Sequence, residues 1–196
     1  MVAAPGQLFD AELPEGFHYR DDLISADEEA AILDRIARVE FSNFEMRGVV
    51  ARRRVAFFGQ TYDSGRMPTA PLPPFLLPLR GRIAAWAGRD PESFTMALIN
   101  DYPPGAPIGW HRDAPQYDIV GGVSMLSACR MRFRPYISPA AKTDSSIRRV
   151  ATHEITLRPR SGYLMTGEAR NGYEHHIPPV DTQRYSITFR TARSFR

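Results

Sequence analysis

The feature that most constrains the fold is a series of short strand-like runs that starts at residue 93 and continues almost to the end of the chain. The runs are FTMALINDY, VGGVSML, CRMRFRPY, ATHEITLR, SGYLMTG and RYSITFRT, and glycines and prolines lie between several of them. In CRMRFRPY, Arg130, Arg132 and Arg134 alternate with Met131 and Phe133, as in a strand with one buried face. Many short strands separated by turn residues favour two packed antiparallel sheets, as in a sandwich or jelly roll.

Two helices are predicted before these runs. Ser25 and Glu28 form a capping-box pattern ahead of apolar residues at helical spacing, which predicts an amphipathic helix over about 26–39. The stretch PPFLLPLRGRIAAWAG begins with prolines and ends near Gly88, which predicts a second helix. The chain is therefore expected to have an α+β fold with its helices outside a β-sheet core.

The segment between the helices contains β-branched and aromatic runs interrupted by Gly48 and Gly59. This pattern predicts a strand hairpin or a flap over about 41–65. We expect about 93–192 to form the core of a single domain that spans residues 1–196, because a chain of 196 residues suits one sizeable hydrophobic core.

Composition narrows the possible partners. No apolar run is long enough to span a membrane and the N-terminus lacks a secretory pattern, so we expect a soluble, cytoplasmic protein, and we expect a monomer. Cys129 is the only cysteine, which leaves histidine and carboxylate as the plausible metal ligands. The formal net charge is +3, and Lys142 is the only lysine, so the positive charge is almost wholly arginine. Such arginines suit either a polyanionic partner or a solvated surface.

The stretch GWHRD places His111 and Asp113 two positions apart. Alternate side chains of a strand point to the same side, so these two could hold one metal ion together, although the spacing is also common by chance. A third ligand would come from His153, His175 or His176. Two imidazoles and one carboxylate are typical of ferrous sites with open positions, and zinc accepts the same ligands.

The run RYSITFR has one polar face, formed by Arg184, Ser186, Thr188 and Arg190, which alternate with large apolar residues. Six positions of strand span about 20 Å at about 3.3 Å per residue, and the two long arginine side chains could converge on the ends of a short dicarboxylate. The alternative is an edge strand with solvated arginines.

Three segments, NDYPPGAPIGWHRD, EHHIPPV and RYSITFR, together resemble the AlkB family of Fe(II)- and 2-oxoglutarate-dependent dioxygenases. The pattern of that family is N-x-Y-x-x-G, H-x-D, a distal histidine and R-x-N/S-x-T-F-R, and the resemblance is strong over about 95–190. It implies a double-stranded β-helix (jelly-roll) core, with N-terminal helices packed on one sheet and a flap over the site. It also implies Fe(II), 2-oxoglutarate and O2 as cofactors.

The resemblance further implies a role for individual residues. The iron ligands are expected to be His111, Asp113 and His175. His175 is preferred over His176 because the family pattern places the ligand first in the sequence HHI, and strand alternation prevents both from facing the metal. The groups implied to bind 2-oxoglutarate are Asn100, Tyr102, Arg184, Ser186 and Arg190.

An alkylated DNA or RNA base, flipped into the site, is the substrate that the resemblance implies, with release of formaldehyde, succinate and CO2. The residues expected to contact the nucleic acid are Arg52, Arg53, Arg54, Phe58, Tyr62 and Trp110. Ala114 and Pro115 follow Asp113, where members acting on methylated adenine and cytosine carry acidic residues, so the target base stays open. Two alternatives remain: a dioxygenase of the same chemistry acting on a small molecule or protein, and a non-catalytic metal-binding β-sandwich.

Overall fold

The computed structural model describes residues 13–46, 48–60, 70–138 and 151–193, and these contain two antiparallel sheets. The strands are β1 Phe17–Arg20, β2 Ser42–Met46, β3 Val49–Gly59, β4 Phe94–Tyr102, β5 Ile108–His111, β6 Tyr117–Met125, β7 Cys129–Pro135, β8 His153–Leu157, β9 Gly162–Met165, β10 Tyr173–Ile177 and β11 Arg184–Ala192. The larger sheet has the order β1-β9-β6-β11-β4-β3-β2, and the smaller has the order β5-β10-β7-β8. The short runs after residue 93 are therefore strands, as predicted.

Three α-helices lie in the described residues: α1 Ala26–Ile36, α2 Leu77–Ala87 and α3 Gly167–Asn171. The predicted capping box at the start of α1 is formed, since Ser25 Oγ accepts from the Glu28 backbone and the Glu28 carboxylate accepts from the Ser25 backbone. The helix ends three residues before the predicted boundary at 39, as helix ends often differ from sequence patterns by a turn. The second helix ends at Gly88, whose φ of 63° is left-handed.

Helices α1 and α2 pack on one face of the larger sheet. Ile36 of α1 and Ile83 of α2 belong to one buried cluster with Ile99 of β4 and Ile187 of β11. A Cβ at Gly121 of β6 would lie 2.3 Å from the Ile83 side chain, so glycine is required where α2 approaches the sheet most closely. Helices thus cover this face of the sheet, so a binding site on the sheet is expected on the opposite face.

The opposite face of the larger sheet packs on the smaller sheet. A second buried cluster joins Phe17 and Val120 of the larger sheet to Met131, Phe133 and Ile177 of the smaller one. The predicted alternation of β7 is confirmed, because Met131 and Phe133 are buried in this cluster while the arginines between them point away from it. The two sheets enclose the core and the cavity described below.

The predicted hairpin between α1 and α2 is formed by β2 and β3. Strand β3 pairs with β4, with Val55 opposite Asn100, so the hairpin extends the larger sheet at its edge. Residues 61–65 of the predicted flap, and Tyr62 with them, lie outside the described residues. No helix in the described residues is both long and apolar enough to cross a membrane.

Candidate active site

A cavity between the two sheets brings together residues that are far apart in the sequence. All eight residues predicted to bind iron or 2-oxoglutarate line it: Asn100, Tyr102, His111, Asp113, His175, Arg184, Ser186 and Arg190. They come from β4, β5, β10, β11 and the loop after β5. The fold therefore assembles in one place what the sequence distributes over three segments.

His111 and His175 lie on neighbouring strands. They are opposite each other in the β5–β10 ladder, and their ring centroids are 4.2 Å apart. Strand β5 ends at His111, so Asp113 lies in the following loop rather than on the strand that the spacing predicted. It still faces the cavity, and its Oδ2 lies 3.8 Å from Nε2 of His175.

The protonation of these groups suits metal binding. Burial, with the neighbouring His111, lowers the pKa of His175 to about 3, so its imidazole is neutral and the contact with Asp113 is not an ion pair. His111 Nδ1 lies 2.9 Å from the Gly109 carbonyl oxygen, which requires a hydrogen on Nδ1 and, in a neutral imidazole, puts the lone pair on Nε2. Burial alone would raise the pKa of Asp113, but the charge of Arg190, together with the neighbouring histidines and Arg170, outweighs burial and holds this pKa below its usual range.

Arg190 holds the Asp113 carboxylate through two hydrogen bonds. Its Nε and Nη2 donate to Oδ1 of Asp113 at 3.1 and 2.8 Å. Within the described ranges, no three His, Cys, Asp or Glu side chains already surround a common point as metal ligands do. The donor set of two imidazoles and one carboxylate nevertheless fits ferrous iron in its chemistry.

His175 and His176 point to opposite faces of the smaller sheet. His175 is buried in the cavity, whereas the ring of His176 stacks on Trp110 with centroids 5.0 Å apart. Trp110 also lies under the guanidinium of Arg134, at 4.4 Å. The two histidines face opposite sides, as strand alternation predicted. His175, the one preferred from the family pattern, faces the cavity, and Trp110 lies on the outer face beside His176.

Arg184 has the environment of a carboxylate anchor. It is 1% exposed, its Nε donates to Ser124 Oγ at 3.2 Å, and its guanidinium lies 4.8 Å from the centre of the Tyr102 ring. Its Nη1 is buried without a hydrogen-bond partner. A buried cation with an unused donor is costly unless an anion binds to it, and a carboxylate is well matched to a guanidinium.

The side chains of Asn100 and Ser186 are also fixed in the cavity. The Asn100 Nδ2 donates to Ser186 Oγ at 3.4 Å, across the register pair between β4 and β11. Arg190, at the other end of β11, is bound to Asp113 rather than standing ready for the second end of a dicarboxylate. In this structure Arg184 has a donor to offer and Arg190 orients Asp113, and the convergence of the two arginines on one dicarboxylate stays a prediction.

The residues predicted to contact nucleic acid are separated by the alternation of β3. Arg53 lines the cavity, whereas Arg54, on the other face, binds Asp101 with its Nη2 2.5 Å from Oδ2. Arg52 is exposed and donates to the Gly105 carbonyl oxygen at 3.3 Å. Phe58 packs against the helix-side cluster and is not brought to the cavity, because it lies on the same face of β3 as Ala56 of that cluster.

Two further residues at the site were missed by sequence reasoning. Tyr163 lines the cavity from β9, and a Cβ at Gly122 would lie 2.3 Å from its ring, so glycine makes room for it. Arg170 of α3 donates to the carbonyl oxygens of Ala114 and Tyr117, which ties down the loop that follows Asp113. The alternation in SGYLMTG could have indicated an inward Tyr163, but no local pattern indicates the contacts of Arg170.

Comparison with known proteins identifies the superfamily of this chain. Residues 17–190 match the 2OG-Fe(II) oxygenase superfamily. The chain is 28% identical over 213 residues to the Arabidopsis thaliana "Alkylated DNA repair protein ALKBH8 homolog", an alignment that covers 96% of this chain and 59% of the relative. The chain thus spans 59% of the length of that curated relative.

Solved structures show the same fold at low sequence identity. OsALKBH1 superposes with a TM-score of 0.64 at 14% identity, covering 92% of this chain and all of that one. A Pseudomonas putida prolyl-4-hydroxylase superposes with a TM-score of 0.58 at 13% identity, covering 91% of this chain and 94% of that one. These likenesses confirm the jelly-roll core. The chain is similar to AlkB homologues and belongs to the 2OG-Fe(II) oxygenase superfamily, as an Fe(II)- and 2-oxoglutarate-dependent dioxygenase.

Proposed function

We propose that this dioxygenase removes methyl groups from ring nitrogens of bases in DNA, or in RNA. The observation that carries the proposal is the cavity in which His111, Asp113 and His175 lie beside Arg184 with its unused buried donor. The similarity to a relative named for alkylated DNA repair supports a nucleic-acid substrate. The cavity itself supports an oxidation beside a bound dicarboxylate, and the nucleic-acid substrate is the further part of the proposal.

The residues assigned to the iron are His111, Asp113 and His175. His175 is neutral and Asp113 is ionised, so both offer lone pairs, and the Nδ1 contact of His111 with the Gly109 carbonyl leaves Nε2 as its ligand atom. Arg190 keeps one oxygen of Asp113 occupied, which leaves Oδ2, the atom nearest to His175, for the metal. Arg190 is thus a positioning residue for the carboxylate ligand.

Arg184 is assigned to the distal carboxylate of 2-oxoglutarate, with Tyr102 and Tyr163 on the same wall of the cavity. Burial raises the pKa of Tyr163, so its hydroxyl stays protonated and can donate. Asn100 and Ser186 provide further polar groups along the cavity. The closed, partly apolar walls hold the cosubstrate out of bulk water, which strengthens each charged contact.

When bound, iron and 2-oxoglutarate supply the oxidising chemistry: O2 oxidises 2-oxoglutarate to succinate and CO2 and delivers its second oxygen atom to a substrate C–H bond. If that carbon is an N-methyl group, the N–C bond of the hydroxymethyl product breaks to release formaldehyde, and its electron pair stays on the nitrogen. The hydroxyl proton goes to that nitrogen where the native base carries N–H, and otherwise to solvent. The protein orients the reacting methyl and shields the site. An N-methyl group therefore yields one formaldehyde for each succinate.

Trp110 and Arg134 form a surface that suits a nucleic-acid strand. Trp110 directly precedes His111 and is partly exposed, and Arg134 lies over its ring. Aromatic rings stack on bases, so Trp110 could carry a nucleotide that flanks the target base, while Arg134, which is paired with Glu174, supports the ring. This contact replaces Phe58, which the fold directs to the helix side of the sheet.

The experiment is to incubate the Fe(II)-loaded enzyme with 2-oxoglutarate, O2 and oligonucleotides that carry single N-methylated bases, and to measure succinate and formaldehyde. We expect equimolar amounts with at least one methylated oligonucleotide and no formaldehyde with its unmodified counterpart. Succinate with no formaldehyde from every oligonucleotide would contradict the nucleic-acid substrate and favour a small molecule or a protein.

Neighbouring histidines provide the matched control. His175→Ala should abolish iron binding and turnover, because it removes a buried ligand, whereas His176→Ala on the opposite face should leave iron binding intact. Iron binding can be measured by calorimetry in the absence of oxygen. Equal losses in the two variants would place the ligand assignment in error.

A further inference from the structure

Arg53 is the one arginine of the Arg52–Arg54 triplet that lines the cavity. Its Nε donates to Asn100 Oδ1 at 3.3 Å, and its guanidinium lies 4.2 Å from the centre of the Phe44 ring on the neighbouring strand β2. These contacts hold the side chain against the wall formed by the β2–β3 hairpin. The hairpin therefore presents a positioned guanidinium to the site.

The terminal amino groups of Arg53 remain available. No acceptor for Nη1 or Nη2 is found among the residues that the structure describes, although Nε is engaged. A partly buried guanidinium needs hydrogen-bond acceptors, and burial lowers the pKa of Arg53 without giving it a counter-charge. A ligand with an acceptor atom would satisfy this group.

The charge of the cavity points the same way. Its described lining contains three guanidiniums, those of Arg53, Arg184 and Arg190, and one carboxylate, that of Asp113. Arg190 is paired with Asp113, and Arg184 is assigned to the distal carboxylate of the cosubstrate, whose other carboxylate goes to the iron. Arg53 is thus the remaining guanidinium of the described lining to which no anion is assigned. No acidic side chain in the described lining, apart from Asp113, could receive a positively charged base.

We propose that Arg53 is a specificity-determining residue that selects a neutral methylated base with a carbonyl oxygen beside the methylated nitrogen. Such an oxygen accepts a hydrogen bond from the Arg53 guanidinium, as in an alkylated uracil, thymine or guanine. A methylated adenine is cationic and has no carbonyl oxygen, and a methylated cytosine is cationic and carries an amino group at C4, where uracil and thymine carry a carbonyl oxygen. Each therefore meets a like charge and lacks an acceptor at that position. This inference rests on the proposed function and names the substrate class of the same site.

The test compares two oligonucleotides that differ at one exocyclic group. 3-Methyluracil and 3-methylcytosine carry the methyl on the same ring nitrogen, but the first is neutral with a carbonyl oxygen and the second is cationic with an amino group. With saturating 2-oxoglutarate, we expect kcat/KM for formaldehyde release to favour 3-methyluracil at least about tenfold, because a site built for a hydrogen bond rejects an analogue without it. Anaerobic binding of the same labelled oligonucleotides, measured by fluorescence anisotropy, should show the same order.

Variants of Arg53 separate specificity from a general defect. Arg53→Gln should reduce the ratio of the two kcat/KM values toward one, and Arg53→Glu should invert it in favour of 3-methylcytosine. Any effect that these changes have on Asn100, and so on 2-oxoglutarate, is common to both substrates and cancels in the ratio. Arg38 is exposed and pairs with Asp34, away from the cavity. Arg38→Gln is therefore the control that should leave the ratio unchanged.

The outcomes are distinguishable. A preference of the native enzyme for 3-methylcytosine, or a ratio that Arg53→Gln and Arg53→Glu leave unchanged, would overturn the role of Arg53 while base demethylation stands. Formaldehyde from neither oligonucleotide and from no other methylated base would overturn the proposed function and this inference with it.

Discussion

Strands β7 and β11 both place arginines at even spacing, yet their arginines have opposite environments. Arg132 and Arg134 of β7 lie on the outer face of the smaller sheet, are about one-third exposed and pair with Glu154 and Glu174. Arg184 and Arg190 of β11 are nearly fully buried in the cavity between the sheets. The charges of the β7 arginines are neutralised by glutamates on adjacent strands. On β11, Arg190 binds Asp113, and Arg184 has a donor without a partner.

The difference shows that an arginine acquires a function from what surrounds it. On β7, the partners are glutamates at registered positions of β8 and β10, so each charge is balanced at the surface with little effect on stability. Strand β11 is the central strand of the larger sheet, and both faces of that sheet are covered. Each guanidinium of β11 must therefore be matched by a buried anion. The matching anions are Asp113 and, in our proposal, the cosubstrate.

Breaking the buried pair should have the largest effect. Arg190→Met leaves the Asp113 carboxylate buried without its main counter-charge, which should cost about 3–5 kcal/mol of unfolding free energy in the metal-free protein. Urea unfolding measures the change. The double variant Asp113→Asn with Arg190→Met removes both charges and should recover much of the loss. A single variant as stable as the native protein would mean that the pair is not buried in solution.

Removing the unpaired donor of Arg184 should weaken the binding of 2-oxoglutarate. Arg184→Met keeps the volume of the side chain but loses a charged contact worth roughly 1.5–3 kcal/mol, which corresponds to about a 10- to 100-fold weaker affinity for 2-oxoglutarate. Calorimetry with the Mn(II)-loaded protein measures this affinity. Arg184→Lys keeps the charge without the planar fork and should be intermediate. Unchanged affinity in both variants would place the anchor elsewhere.

The surface arginines should give the smallest effect. Arg132→Ala removes a partly exposed contact with Glu154, for which about 0.2–1 kcal/mol of unfolding free energy is expected, with no change in 2-oxoglutarate affinity. The same urea and calorimetric measurements apply. A loss as large as that of Arg190→Met would remove the distinction between the two strands.

Much of the candidate site could be predicted because its signals are local. His111 and Asp113 are two residues apart, and strand alternation separates His175 from His176 without any knowledge of neighbouring strands. The positions of Phe58 and of the Arg52–Arg54 triplet could not be predicted in this way. Alternation indicates that Arg53 faces one side of β3 and Arg52 and Arg54 the other, but which side meets helices and which meets the cavity depends on the pairing of β3 with β4.

The sequence by itself determined the succession of strands, the two N-terminal helices with their caps, and the set of side chains on each strand face, because these follow from periods of two and 3.6 residues and from local hydrogen bonds. Only the tertiary structure decided that Arg190 holds Asp113, that Arg184 keeps a free donor and that Arg53 joins the cavity. Those outcomes depend on contacts between residues 47 to 77 positions apart, as in Arg53–Asn100 and Arg190–Asp113. Burial and charge balance across such distances exist only once the sheets have paired and packed.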